Sequence, residues 1–353
     1  MMISQAIDAA SWRLFEKIQR LDIGTLPISD YSKKYFATLA GRYQGDIKNH
    51  VKTWVKRNIL GRKNKYPEQY VVILNALLRD RALDDLAHMT LLDHGGGTGL
   101  LSLLAAELGI GQVYYNDIYE ISCEDSAHIS EALGYKSIVR IPGDFAELAA
   151  YCKKFGLLFD YIGSYDVIEH IYDIYGFLEG VPLLCSPKST VFFYSGANSY
   201  NPHIVQSLVS LHKQCEQEDR KYTFEWKKRD SLRAYASIRM EIVKNEYLAQ
   251  CLPEPDNFIL SKLVASTRGL MIQDIQNAVR HYIADGTLPI NDARFPSNTC
   301  DPITGNWAEH LMDFSELLTI LKKSFDVSYI YPEAEYLPKA TRVGLYASND
   351  CEV

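Results

Sequence analysis

The stretch "LLDHGGGTGLL", Leu91 to Leu101, constrains this chain more than any other. Three consecutive glycines with a fourth at Gly99 are costly inside a helix or a strand, because glycine loses the most backbone freedom on ordering. The apolar run "MTLLDH" before them and "GLLSLLAAELG" after them therefore read as strand, sharp turn and helix. The same alternation continues downstream. "QVYYND", "SIVRIPGD", "FDYIGSYD" and "STVFFYSG" read as strands, separated by helical "ISCEDSAHISEALG" and "VIEHIYDIYGFLEG". Strand and helix in turn predict an α/β protein with a Rossmann-like, mostly parallel sheet covered by helices on both faces.

Four regions follow. Residues 1–88 read as an N-terminal helical cap region, since apolar residues recur at three and four in "AASWRLFEKIQRL", "IKNHVKTWVKRNIL" and "EQYVVILNALLRDRALDDLA". Residues 89–200 form the core. Residues 201–300 interrupt the alternation with helices "PHIVQSLVSLHKQCEQ", "RDSLRAYASIRMEIVKNEYLAQC" and "NFILSKLVASTRGLMIQDIQNAVRHYI", too long a connection for a loop and so read as a lid. Residues 301–353 complete the core with helix "DFSELLTILKKSF" and strands "DVSYIYP" and "ATRVGLYAS", giving about seven strands.

The glycines select between two ligands. A nicotinamide fingerprint, G-x-G-x-x-G, needs a third glycine where Leu100 stands. The pattern present is D-x-G-x-G-x-G: Asp93, Gly95, Gly97 and Gly99. This resembles motif I of class I S-adenosylmethionine-dependent methyltransferases. Such a cofactor has no phosphate but carries an ammonium and a sulfonium, which a carboxylate suits. The resemblance extends along the strand ends. Asp117, 18 positions after Gly99, stands where the family places an acid on the ribose hydroxyls, flanked by Asn116 and Ile118. Asp144 and Phe145 in "PGDFAEL" resemble the acid and apolar neighbour that read adenine, although either acid could also cap the following helix. Tyr165 and Asp166 fall in the fourth-strand motif "FDYIGSYDVIEHI", which serves the methionyl end.

For the acceptor the resemblance implies less. Glu169 and His170 resemble the pair found in the ubiquinone-pathway O-methyltransferase-like branch, and the histidine suits a base near neutrality. With Asp173 they could gather a divalent ion, but a solvated helix face is the simpler reading and no metal is expected. "NTCDPITGNWAEHLM" places Asn298, Asp301, Asn306, Trp307, Glu309 and His310 at the seam between lid and core; Trp307, Glu309 and His310 are read as substrate contacts. Asn198, Tyr200 and His203 in "SGANSYNPH" occupy a similar seam, with Asn198 and Tyr200 the stronger candidates.

A net charge of −7 argues against wrapping nucleic acid, and apolar runs stop short of the roughly 20 residues that span a bilayer. Seven scattered cysteines form no CxxC pair, and the N-terminus lacks a secretory pattern, so a cytoplasmic protein is expected. The expected activity is methyl transfer from S-adenosylmethionine, leaving S-adenosylhomocysteine, to a small-molecule acceptor. A hydroxyl of a metabolite, natural product or sugar is favoured. N-methylation of a small molecule or peptide, a non-catalytic cofactor-binding scaffold, and homodimerisation stay open.

Overall fold

A computed structural model describes residues 2–30, 32–37, 68–79, 81–220, 231–289 and 294–349. Seven strands form one sheet: β1 (Thr90–His94), β2 (Gln112–Asp117), β3 (Ile138–Pro142), β4 (Phe159–Tyr165), β5 (Cys185–Ser195), β6 (Val327–Tyr331) and β7 (Val343–Ser348). They run in the order β3-β2-β1-β4-β5-β7-β6, parallel except for β7, which inserts antiparallel between β5 and β6. The expected Rossmann-like α/β architecture is present.

Sequence neighbours on the central strands bury on opposite faces. Leu91 and Leu92 are both almost inaccessible, the first packing with one core and the second with the other, as do Phe192 and Phe193. This explains why these strands read as continuous apolar runs. On the first face lie α1 (Ile3–Arg20), α2 (Glu68–Leu77), α3 (Leu100–Leu108) and α4 (Glu120–Ala132). On the second lie α5 (Phe145–Phe155), α6 (Ile174–Gly180) and α11 (Phe314–Leu321). Within 1–88, α1 and α2 thus pack into a sheet face, with Ile7, Leu14, Ile73 and Leu74 in its core. The stretch "IKNHVKTWVKRNIL" lies outside the described residues.

The insertion carries α7 (Pro202–Gln217), α8 (Tyr235–Ala249), α9 (Asn257–Ser266) and α10 (Ile272–Asp285) around an apolar core of its own that includes Ile238, Val243, Leu263 and Ile275. Three expected helical stretches prove to be broken, the first being "EQYVVILNALLRDRALDDLA", which divides into α2 and a 3-10 turn, Leu83–His88. The periodic stretch 257–283 splits into α9 and α10 because Gly269 adopts φ +79 and closes the first helix. A Cβ there would stand 2.9 Å from the Trp307 ring, so the break also makes room for that indole. Likewise "VIEHIYDIYGFLEG" is a short 3-10 turn, Ile168–His170, followed by α6, which Asp173 caps through Gly176 N–H at 2.9 Å.

A buried ion pair ties three of these helices together. Arg239 on α8, 1% exposed, grips Glu216 on α7 through two hydrogen bonds of 2.9 and 2.5 Å, and its Nε donates to the Val264 carbonyl of α9 at 3.2 Å. Thr299 also donates to Glu216. Removing one partner strands a buried charge. Arg239→Met is therefore expected to destabilise the chain by about 3–5 kcal/mol in urea unfolding; a loss under about 1 kcal/mol would show that the pair does not organise the insertion.

Candidate functional site

The glycine turn is held from three sides. Asp93, one residue before the end of β1, has its carboxylate buried, with Oδ2 accepting from the Ser102 backbone N–H at 3.0 Å and the Ser102 hydroxyl at 2.7 Å. Tyr115 on β2 donates its hydroxyl to the Gly97 carbonyl at 2.6 Å. Asp117, at the end of β2, accepts from Gly97 N–H at 2.9 Å through Oδ2 and from Tyr119 N–H at 2.9 Å through Oδ1. The turn is thereby fixed relative to the acid beside it.

Gly95, Gly97 and Gly99 all have positive φ, but their surroundings differ. A Cβ on Gly95 would meet Val167 at 2.4 Å, and one on Gly99 would meet the Ser126 hydroxyl at 2.7 Å. At Gly97, φ +54, a Cβ would meet nothing within 4 Å. Open space therefore lies over Gly97, next to the Asp117 carboxylate and the exposed Ile118, which is 39% accessible.

Other expected cofactor residues take more structural parts. Asn116 points into the protein and donates to the Ile141 and Gly143 carbonyls at 2.8 and 2.9 Å, tying β2 to the loop after β3. Asp144 caps α5, with Oδ1 accepting from Ala146 and Glu147 N–H at 2.9 and 3.0 Å. Phe145 packs edge-on against Phe177 and His94, 4.9 and 6.3 Å between centroids. Tyr165 lies under the Arg342 guanidinium, and Asp166, held at φ +51, accepts from Arg342 at 3.0 Å.

The acceptor-side candidates separate. Glu169 and His170 adjoin in sequence but face different surroundings. Glu169 is wholly buried, its Oε1 accepting from Gly196 N–H at 3.2 Å, while burial and the nearby Asp166 carboxylate push its carboxyl far above the ordinary range. His170 is half-buried, and its Nδ1 lies 2.7 Å from the Trp307 carbonyl. A carbonyl only accepts, so Nδ1 carries the proton and Nε2 the lone pair.

The segment 307–310 docks on this turn. Trp307 N–H donates to the His170 carbonyl at 3.3 Å, and His310 N–H to the Glu169 carbonyl at 3.0 Å. Trp307 stacks on Tyr172 at 6.2 Å and meets the His310 ring at 4.5 Å with a 40° tilt. Glu309, at φ +48, gives its carbonyl to His212 Nε2 at 3.2 Å. Of the other expected contacts, Asn198 is fully buried and spends its side chain on the Leu337 and Ala340 carbonyls and the Tyr200 N–H, so it braces the loop after β5. Tyr200 bonds Ser315 at the start of α11, and His203 is exposed on α7.

Four contributors escape a motif reading. Ser102 and Tyr115 hold the turn, and Asp125 on α4 accepts from Ser29 N–H at 2.9 Å and the Ser32 hydroxyl at 2.6 Å, bringing the N-terminal segment alongside. The fourth, His94, stacks on Phe177 at 5.1 Å beneath the turn. Only Tyr115, on the strand two residues before Asp117, lies where the period of a strand could have flagged it. Among the described residues no group of three or more His, Cys, Asp or Glu could hold a metal ion, and no helix is long and apolar enough to cross a membrane.

No protein-family model and no curated protein matches the chain. It is similar to solved structures over part of its length. TrmN from Thermus thermophilus aligns at 27% identity with a TM-score of 0.29, over 36% of this chain and 38% of that one. A SAM-dependent methyltransferase from Agrobacterium tumefaciens aligns at 18% identity and TM-score 0.26, over 32% and 42%. The ribosomal protein L11 methylase from Lactobacillus delbrueckii subsp. bulgaricus aligns at 20% identity and TM-score 0.27, over 35% and 58%. The chain thus spans less than two thirds of each of these structures.

Two adjacent buried groups pull the pH profile in opposite directions. Burial pushes the Asp93 carboxyl up from 3.8 to about 7, so its contribution to stability is full below pH 3.8 and is lost as the pH rises through about 7. Burial lowers His94 from 6.5 to about 4, so its contribution is full above pH 6.5 and is lost as the pH falls through about 4. Asp93→Asn is expected to make stability climb from pH 4 to 7 more steeply than in the parent, by on the order of 4 kcal/mol, whereas His94→Gln flattens the acid side. Urea unfolding at several pH values measures this; three parallel profiles would contradict it.

Proposed function

We propose that the chain is an S-adenosylmethionine-dependent methyltransferase that methylates a small-molecule acceptor, most directly at a hydroxyl oxygen. The observation that carries this reading is the open space over Gly97, bounded by the pinned Asp117 carboxylate. Asp117 ends β2 beside Gly97, where a carboxylate accepts from ribose hydroxyls, and Ile118 offers an apolar surface to a purine. The turn backbone meets the methionyl end, while Asp93, buried against Ser102, braces the turn from inside the protein. When bound, the cofactor supplies a methyl group activated by its sulfonium.

The chain's own part is placement and proton handling. His170, with Nδ1–H on the Trp307 carbonyl, presents Nε2 to take the acceptor's hydroxyl proton. Glu169, buried and bonded to Gly196, positions the turn that carries His170. The insertion, residues 201–300, closes over the acceptor and excludes water. The Glu169–His170 pair is also what supports kinship to the ubiquinone-pathway-like branch.

Incubation with methyl-labelled cofactor and a panel of phenols, alcohols and amines tests the reading through labelled product. His170→Ala is expected to keep its affinity for S-adenosylhomocysteine and lose about 100-fold or more in turnover. Asp117→Ala should weaken that affinity about tenfold or more. Unchanged turnover in the first variant would leave His170 a packing residue, and an unchanged dissociation constant in the second would remove the ribose role. Labelling of amines alone would overturn the hydroxyl assignment.

A further inference from the structure

A cavity of about 200 Å³ opens where the insertion meets the core, with Trp307, Tyr172 and Arg268 in its lining. Its charges are unevenly matched. Arg294, at one end, is met by two carboxylates, Asp313 at 3.2 Å and Glu316 at 2.6 Å. Behind the lining residue Arg268, Glu216 is gripped by both terminal nitrogens of Arg239, and Arg268 stands 3.9 Å from the same carboxylate. Two guanidinium groups there share one acid, so a positive charge is in surplus locally at Arg268, which is 25% exposed, while the surplus acid sits apart, around Arg294.

The Arg268 fork is also oriented. Its Nε donates to the Asn298 carbonyl at 3.1 Å and its Nη2 to the Ser297 carbonyl, which fixes the plane of the group. Those bonds leave the hydrogens of Nη1 and the second hydrogen of Nη2, the end-on edge that grips a carboxylate or phosphate with two parallel bonds. Trp307 and Tyr172, both in the lining, stack on each other at 6.2 Å and 23° from parallel, so a ligand ring would meet the edge of this stacked pair. Trp307 in turn donates its backbone N–H to the His170 carbonyl, so the cavity shares a wall with the turn that carries the proposed base.

We infer that this cavity is an acceptor subsite for a small aromatic anion, its ring against Trp307 and Tyr172 and its carboxylate or phosphate on the outer edge of Arg268. The inference rests on the methyl-transfer reading for its link to catalysis, but the anion preference is measurable without turnover.

Calorimetric titration of the full chain with benzoate, phenyl phosphate and the neutral benzyl alcohol tests it. The two anions are expected to bind about tenfold or more tighter than the alcohol, and the tighter of the two identifies the group that Arg268 receives. Arg268→Gln should erase the anion preference while leaving S-adenosylhomocysteine binding intact, and Trp307→Ala should weaken all three ring probes. Equal affinity for anions and alcohol in the parent chain would overturn the inference, a result needing no variant. An Arg268→Gln chain that unfolds cooperatively yet keeps the preference would overturn it too. Failure to bind S-adenosylhomocysteine would instead sink the donor reading and leave the anion site standing.

Discussion

The hydrogen bond from Gly97 N–H to the Asp117 carboxylate is the contact on which the candidate site depends. It joins the turn after β1 to the end of β2, and it does so at a glycine whose left-handed backbone and open flank leave room for a ligand. Tyr115 fixes the carbonyl of the same residue, and Asp93 fixes the start of the following helix through Ser102. Because these bonds are made within the protein, the turn is organised before any ligand arrives, and binding need not pay to order it.

A second constraint builds the acceptor side. The segment 307–310 forms backbone hydrogen bonds with the turn after β4, and the insertion is shaped to receive it: Gly269 breaks a helix where the Trp307 ring needs space. The same docking sets the histidine tautomer, since the carbonyl that binds His170 Nδ1 belongs to Trp307. The arrangement of insertion, docking segment and proposed base is therefore one unit, braced below by the buried Arg239–Glu216 pair.

Much of this was legible in the sequence, for physical reasons that differ between elements. The strands stood out because both sheet faces are covered, so that Leu91 and Leu92, or Phe192 and Phe193, are all apolar. The helix 202–217 coincides with its predicted range because Asn201 caps it and Pro202 opens it. The glycine motif and Asp117 were visible because their residue types are demanded locally. What was hidden depends on distant partners. The stretch 257–283 has an unbroken helical period, and its interruption at left-handed Gly269 lies against the distant Trp307 ring, which the local pattern does not show. Asn198 read as a ligand contact because nothing nearby reveals that the Leu337 and Ala340 carbonyls, some 140 positions away, consume its amide. His94 carried no pattern at all, yet its ring packs on Phe177 directly under the turn.

The central claim is that the end of this sheet reads a nucleoside carrying positive charge and not a pyrophosphate. The most direct measurement is the melting temperature of the full chain with S-adenosylhomocysteine and, separately, with a nicotinamide dinucleotide. The account predicts a rise that grows with the concentration of the first and no rise with the second. A chain unmoved by S-adenosylhomocysteine, or stabilised by the dinucleotide instead, would contradict it.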